Sequence, residues 1–219
     1  MQTLGIVRAN DLSWQASPSP SVWRKRLFHD GPPEAGTVTS LVRFDPGSMF
    51  PSHGHPEGEE VIVLEGVYSD ERGSFPAGTY LLSPDGFQHT PFSVEGCLLF
   101  VRLRQYAGLD REQVVIDTKT APWVTRAPGL RAQLLYDSAR YADTKWLLEL
   151  EPGTALSEGD LPDRAEIFVL EGQIEDEQGR YPRHTWLCLA PGSRDAARTA
   201  TGCLLYVSKP RAGRLLLTG

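Results

Sequence analysis

Residues 47–66 read GSMFPSHGHPEGEEVIVLEG, and the rest of the chain is organised around this stretch. His53 and His55 stand one residue apart, and residues two apart on an extended strand project from the same face. Glu59 and Glu60 follow, after Pro56 and Gly58 have given the chain the means to bend back. Two imidazoles and one carboxylate converging from a single hairpin form a facial set suited to a divalent transition metal. A further ligand is needed, and His89 is the candidate.

The stretch also opens a repeat. EVIVLEGVYSDERGSFPAGTYLLSP starts at Glu60, and EIFVLEGQIEDEQGRYPRHTWLCLAP starts at Glu166, an offset of 106 residues with a one-residue shift near the end. The offset recurs where LVRFDPG (41–47) matches LLELEPG (147–153), and where GCLLF (96–100) matches GCLLY (202–206). An offset held at three separated places means two copies of one unit of about 100 residues. Each copy reads as all-β. Short apolar runs such as VTSLVRF, TYLLS and CLLFVRL are bounded by Gly, Pro, Asp and Ser, with no sustained 3.6-residue periodicity. DERG at 70–73 and DEQG at 176–179 are hairpin turns. Strands of this kind predict a sandwich or barrel, jelly roll included. The boundaries expected are 1–116 for the first domain, a polar linker over 117–123, and 124–219 for the second.

Composition narrows the function classes. The 219 residues carry a net charge of −6, so no basic footprint argues for nucleic acid. No apolar run approaches the roughly 18 residues of a membrane span, and the N-terminus lacks a signal peptide's pattern, so a cytoplasmic protein is expected. Cys97, Cys188 and Cys203 form no C-x-x-C pair and fit buried, reduced thiols.

The spacing G-x5-H-x-H-x3-E-x6-G from Gly47 to Gly66 resembles the first motif of the cupin superfamily position for position. Gly78, Pro84, Gly86 and His89 match the second motif, and Ser93 replaces its usual asparagine. The wording over residues 40–106 is similar to the ChrR-like cupins, the group named for the cupin part of a zinc-dependent anti-sigma factor. That group also includes small oxygenases of β-diketones and hydroxyketones. The resemblance implies an all-β chain of two tandem cupin domains, the first holding a metal through His53, His55, Glu59 and His89. Glu60 competes with Glu59, and the spacing to Gly66 favours Glu59. The ion expected is a divalent transition metal, zinc first, with iron, nickel or manganese as alternatives.

The second copy places Gly159, Leu161, Ala165 and Ala196 where the four ligands fall in the first, so it is expected to keep the fold without the metal. Glu166 matches Glu60. His29 and His184 read as ordinary side chains, and Trp14, Trp23 and Trp123 as covers for strand edges or for the interface between copies. Phe50, Tyr80, Gln88 and Phe100 are candidate pocket walls, while Arg102 and Arg104 either line the barrel mouth against an anion or face solvent. Three functions follow. The first is a regulatory, metal-sensing cupin with a sigma factor as partner, weakened because the chain contains no His-x3-Cys-x2-Cys segment. The second is a non-haem metal dioxygenase acting on a small diketone or hydroxyketone. The third is a binding protein for a small-molecule ligand, with a structural metal in the N-terminal barrel. A homodimer is the oligomer expected.

Overall fold

The computed structural model describes all residues except 2, 33–34, 109, 142, 194–196 and 210–219. The chain opens with β1 (Thr3–Arg8) and a 3-10 turn, Ala9–Asp11. Next come β2 (Gln15–Ala16), β3 (Val22–Asp30), β4 (Thr37–Phe44), β5 (Ser48–Met49), β6 (His53–His55) and β7 (Glu59–Asp70). They are followed by β8 (Gly73–Pro76), β9 (Thr79–Ser83), β10 (Phe87–His89), β11 (Phe92–Ser93), β12 (Cys97–Leu103) and β13 (Val114–Asp117). The second half contributes β14 (Val124–Ala127), β15 (Leu130–Ser138), β16 (Asp143–Leu150), β17 (Glu166–Asp176), β18 (Gly179–Pro182), β19 (Thr185–Leu189) and β20 (Cys203–Lys209). The all-β expectation holds. No helix among the described residues is long and apolar enough to cross a membrane.

Every pairing among the described residues is antiparallel, and the two copies share one strand order. The first unit runs β13-β9-β7-β12-β4-β3-β2, and the second runs β1-β19-β17-β20-β16-β15-β14. The register repeats as well. Cys97 faces Phe44 and Gly66 in the first unit, and Cys203 faces Leu150 and Gly172 in the second. Each central strand carries a bulge just before that glycine, after Val63 and after Val169. Gly66 and Gly172 sit at φ 71° and 70° there. A Cβ on either would collide with the carbonyl oxygen of Gly96 or Gly202. The VLEG signature is therefore a steric demand of the bulge.

The domain boundaries differ from those read in the sequence. The compact units are residues 12–120 on one side, and 1–11 with the chain from Ala121 onward on the other. β1 pairs with β19 of the second unit, while β13, at the corresponding place in the second repeat, pairs with β9 of the first. The two repeats thus exchange their leading strands. Much of the expected 117–123 linker is also tied down. Asp117 closes β13 against Thr79, and both Thr118 N and Thr118 Oγ1 donate to the Gly78 carbonyl.

The two interiors are filled differently. The second unit packs one continuous apolar cluster that includes Ala132, Leu148, Leu161, Ala165, Val169 and Leu205. The first has a smaller cluster around Phe44, Val61, Val63, Tyr68 and Leu99, and leaves a cavity of about 260 Å³ beside it. All three cysteines are free and buried, and burial pushes the Cys97 and Cys203 thiols up to about 11.

Candidate metal centre

His53 and His55 lie on β6, which among the described residues pairs with β10 in a two-stranded ribbon. The register sets His53 opposite His89 and His55 opposite Phe87. Alternation puts all three imidazoles on one face, and Gly54 with Gln88 on the other. The turn after β6 uses two left-handed residues, Glu57 (φ 58°) and Gly58 (φ 74°). Gly58 N donates to the His55 carbonyl and Glu57 N to Asp85, so the turn is pinned on both sides. It returns the chain with Glu59 on the histidine face and Glu60 on the opposite one.

The ligand atoms converge. One nitrogen each from His53, His55 and His89 lies within 4.8 Å of the others. Nε2 of His55 and Nε2 of His89 are 2.8 Å apart, and Glu59 Oε2 is 3.7 Å from both. Two imidazole nitrogens bonded to one ion at about 2.1 Å and at right angles stand about 3.0 Å apart. Without a cation, one Nε2 must hold a proton and donate it to the other. A divalent ion replaces that proton and satisfies both lone pairs. The donor set of three nitrogens and one carboxylate therefore fits a borderline divalent metal.

The Nδ1 atoms of His53 and His89 are committed. His53 Nδ1 lies 2.8 Å from the Pro51 carbonyl, which can only accept, so this ring carries its proton on Nδ1. His89 Nδ1 lies 3.3 Å from Asp70 Oδ2 and 3.3 Å from the Tyr68 hydroxyl. Burial pushes the Asp70 carboxyl up, but hydrogen bonds from His89 and Arg72 outweigh it and hold the group well below its ordinary value. Arg72 grips both Asp70 oxygens and stacks its guanidinium 4.1 Å over the Phe87 ring. An ionised carboxylate behind a histidine fixes its tautomer and raises its basicity toward a cation. Burial also lowers the His55 pKa, against the pull of Glu59, keeping the ring neutral as a ligand must be.

The structure brings together all four residues read from the sequence, and it separates Glu60 from them. Glu60 accepts from Tyr80 Oη at 2.9 Å and from Arg102 Nη1 at 2.8 Å, in a buried network that continues to Gln105. Arg102 is thus neither at the mouth nor in solvent. Tyr80 and Phe100 are core residues, and Gln88 is exposed on the outer face of its ribbon. Phe50 and Arg104 do line the cavity. Asp70 and Tyr68 were not singled out from the sequence; their signal was alternation with the core residues of β7. Trp14 and Trp23 take Lys25 and Arg43 over their rings.

In the second unit, Leu161 and Ala165, at the places of His55 and Glu59, are buried in the apolar cluster. Gly159 lies in a turn, no strand among the described residues corresponds to β6, and Ala196 falls outside them. Glu166 accepts from Trp186 Nε1, as Glu60 does from Tyr80.

Solved structures with the same architecture include a Nostoc punctiforme protein provisionally described as a dioxygenase (18% identity, 96% of this chain and 84% of that one, TM-score 0.75). A bacterial pirin from Escherichia coli, solved with nickel(II), matches at 14% identity over 94% of this chain and 98% of that one, TM-score 0.70. Quercetin 2,3-dioxygenase from Acinetobacter baumannii matches at 15% identity over 96% and 86%, TM-score 0.69. At such identities the likeness establishes a common fold. No curated protein sequence matches the chain. The ChrR cupin-like domain matches twice, over residues 2–107 and 111–211, and with nearly its whole length so covered the chain belongs to that family as a tandem cupin.

Proposed function

We infer that the N-terminal barrel holds one divalent transition metal through His53, His55, Glu59 and His89, and uses it as a non-haem dioxygenase of a small β-dicarbonyl or hydroxyketone. The observation that carries this reading is the position of the cluster. His53, His55, His89 and Glu59 line the wall of the 260 Å³ cavity. A structural ion needs no adjoining chamber, whereas a ligand-binding ion does.

When bound there, such a metal supplies Lewis acidity toward carbonyl oxygens and, in the ferrous form, reactivity with dioxygen. The chain's own residues orient and exclude. Phe50 packs its ring 4.8 Å from His53, and Val22, Phe44 and Leu99 give the chamber apolar walls that keep out water. Burial, reinforced by Glu59 and Asp70, holds Tyr68 protonated far above neutral pH, so its hydroxyl keeps a proton to donate to a ligand or to a neighbour. The net reaction adds both oxygen atoms of O₂ across the carbon–carbon bond of a β-dicarbonyl, giving a carboxylic acid and a 2-oxoaldehyde. The electrons come from the substrate, and no protein nucleophile is required.

The test is elemental analysis of protein purified without added metal, followed by oxygen uptake by the Fe²⁺-loaded form over a panel of diketones and hydroxyketones. Stoichiometric zinc with no uptake across the panel would sink the oxygenase. The double match to the ChrR cupin-like domain favours a second reading, a metal-sensing regulatory module. Capture of a sigma factor, abolished when His55 is replaced, would support it. For either reading the proposed setting is the cytoplasm.

A further inference from the structure

Four polar residues far from the cupin motifs share the cavity with the metal cluster: Arg24, Arg26, Ser40 and Arg104. Arg24 and Arg26 share one face of β3 with Val22 and face inward. In register, Arg26 stands beside Ser40 on β4, and Arg24 beside Val42. Arg104 enters at the end of β12 with φ 60°, a left-handed backbone rare outside glycine, held by its N–H to the Gly58 carbonyl at 3.0 Å. The Ser40 hydroxyl lines the chamber at 3% exposure, and Oγ has no hydrogen-bond partner. A buried hydroxyl in that state costs stability unless a ligand completes it.

The charge balance points the same way. Three arginines and one carboxylate, Glu59, line the chamber, inside a protein whose net charge is −6. Guanidinium groups on a chamber wall favour an anionic ligand.

The second repeat acts as an internal control. Register equates Arg24 with Ala132, which pairs Leu148 as Arg24 pairs Val42. It likewise equates Arg26 with Leu134, and Ser40 with Trp146. Ala132 belongs to the apolar cluster and Trp146 packs against it. The repeat without metal ligands is therefore also the repeat without the cationic wall. The two features belong to one site.

We propose that this wall is a carboxylate subsite, so that the ligand of the N-terminal barrel is a small carbonyl compound bearing a carboxylate at the end away from the metal. The guanidinium groups supply charge and paired donors, and Ser40 supplies one further O–H. The volume, under the ~300–1,000 Å³ of sites for drug-sized ligands, limits the occupant to a small metabolite. The inference rests on the proposed metal site for the carbonyl end alone; the carboxylate end stands without it.

The experiment uses two matched probe pairs and calorimetry. On protein loaded with redox-inert zinc, 4,6-dioxoheptanoate is compared with neutral heptane-2,4-dione. On metal-free protein, pentanoate is compared with pentanamide. We expect at least tenfold tighter binding of the anion in each pair. Arg24→Gln with Arg26→Gln should remove that preference while leaving both the neutral dione's affinity and the zinc stoichiometry unchanged. Ser40→Ala, which exchanges a single atom and spares the fold, should reduce the preference two- to fivefold. Equal affinity within both pairs in the wild-type protein overturns the subsite, whatever the metal content. A retained preference for pentanoate with no zinc uptake upholds the subsite and overturns the metal site instead.

Discussion

The two barrels are built on one strand order, one bulge and one register, yet one has a chamber beside a histidine cluster and the other packs an apolar cluster in the corresponding place. Where the first has His55 and Glu59, the second has Leu161 and Ala165, buried in an apolar cluster. Where the first has Arg24 and Ser40 on its inner wall, the second has Ala132 and Trp146. The framework residues did not change with them. Gly66 and Gly172, Cys97 and Cys203, and Asp70 and Asp176 remain in equivalent places. The comparison separates what the fold needs from what the site needs. The site is a local departure from the core-filling arrangement of the other barrel.

The largest effect expected is at His55. His55→Leu copies the second barrel into the first, and metal affinity should fall by at least 100-fold, read as lost metal in elemental analysis. The metal-free variant should be no less stable than metal-free wild type, because an apolar side chain replaces a buried imidazole. Leu161→Ala should do the opposite, costing about 2–5 kcal/mol in unfolding experiments and leaving metal content unchanged. A Leu161 variant that altered metal content would break the separation between framework and site.

The shared bulge gives the next effect. Gly66→Ala and Gly172→Ala should each cost about 3 kcal/mol or more, since a Cβ at either meets a carbonyl oxygen on the neighbouring strand. Similar losses of thermal stability in the two variants would confirm that the bulge is framework. A loss confined to Gly66→Ala would move this glycine to the side of the site.

Much of this division was legible in the sequence, because the repeat, the VLEG bulge and the histidine spacing are all local patterns. Glu59 and Glu60 were harder to separate, since adjacent acids differ only in which face of β7 they occupy; Arg102 and Tyr80 show that Glu60 faces away from the metal cluster. The exchange of β1 and β13 could not be read. Both are short, apolar, edge-like runs, and which sheet completes them depends on distant pairing. The cationic wall was hidden for a similar reason. Arg24 and Arg26 look like solvent-facing positions of an alternating strand until Ser40 and Val42 are found beside them.

Asp70 and Asp176 then sharpen the comparison, because one carboxylate position serves two ends. Asp70 backs His89, so Asp70→Asn should weaken metal binding by about 10–100-fold, measured by competition with a chelator. Asp176 instead receives the Met1 ammonium at 2.6 Å, Tyr181 Oη at 2.8 Å and Gln178 N at 2.9 Å. Burial pushes its carboxyl up, but the bonds from the ammonium and Tyr181 prevail and leave it below its ordinary value.

The smallest effect, and the finest test, is therefore Asp176→Asn. It should leave metal affinity untouched and cost on the order of 1.5 kcal/mol at neutral pH, the worth of hydrogen bonds to a charged group. The loss should depend on acid in one direction only. A carboxyl whose folded-state pKa is depressed stabilises the fold at pH values above its unfolded pKa, about 3.9, and loses that contribution as the pH falls through the folded value. The gap in stability between wild type and Asp176→Asn should thus be full at pH 5 and close steadily below about pH 4. Chemical denaturation of the metal-free proteins across that range would show it. A gap that stayed constant into acid would mean that Asp176 acts by shape and packing, and that the equivalence with Asp70 is one of backbone position without shared electrostatics.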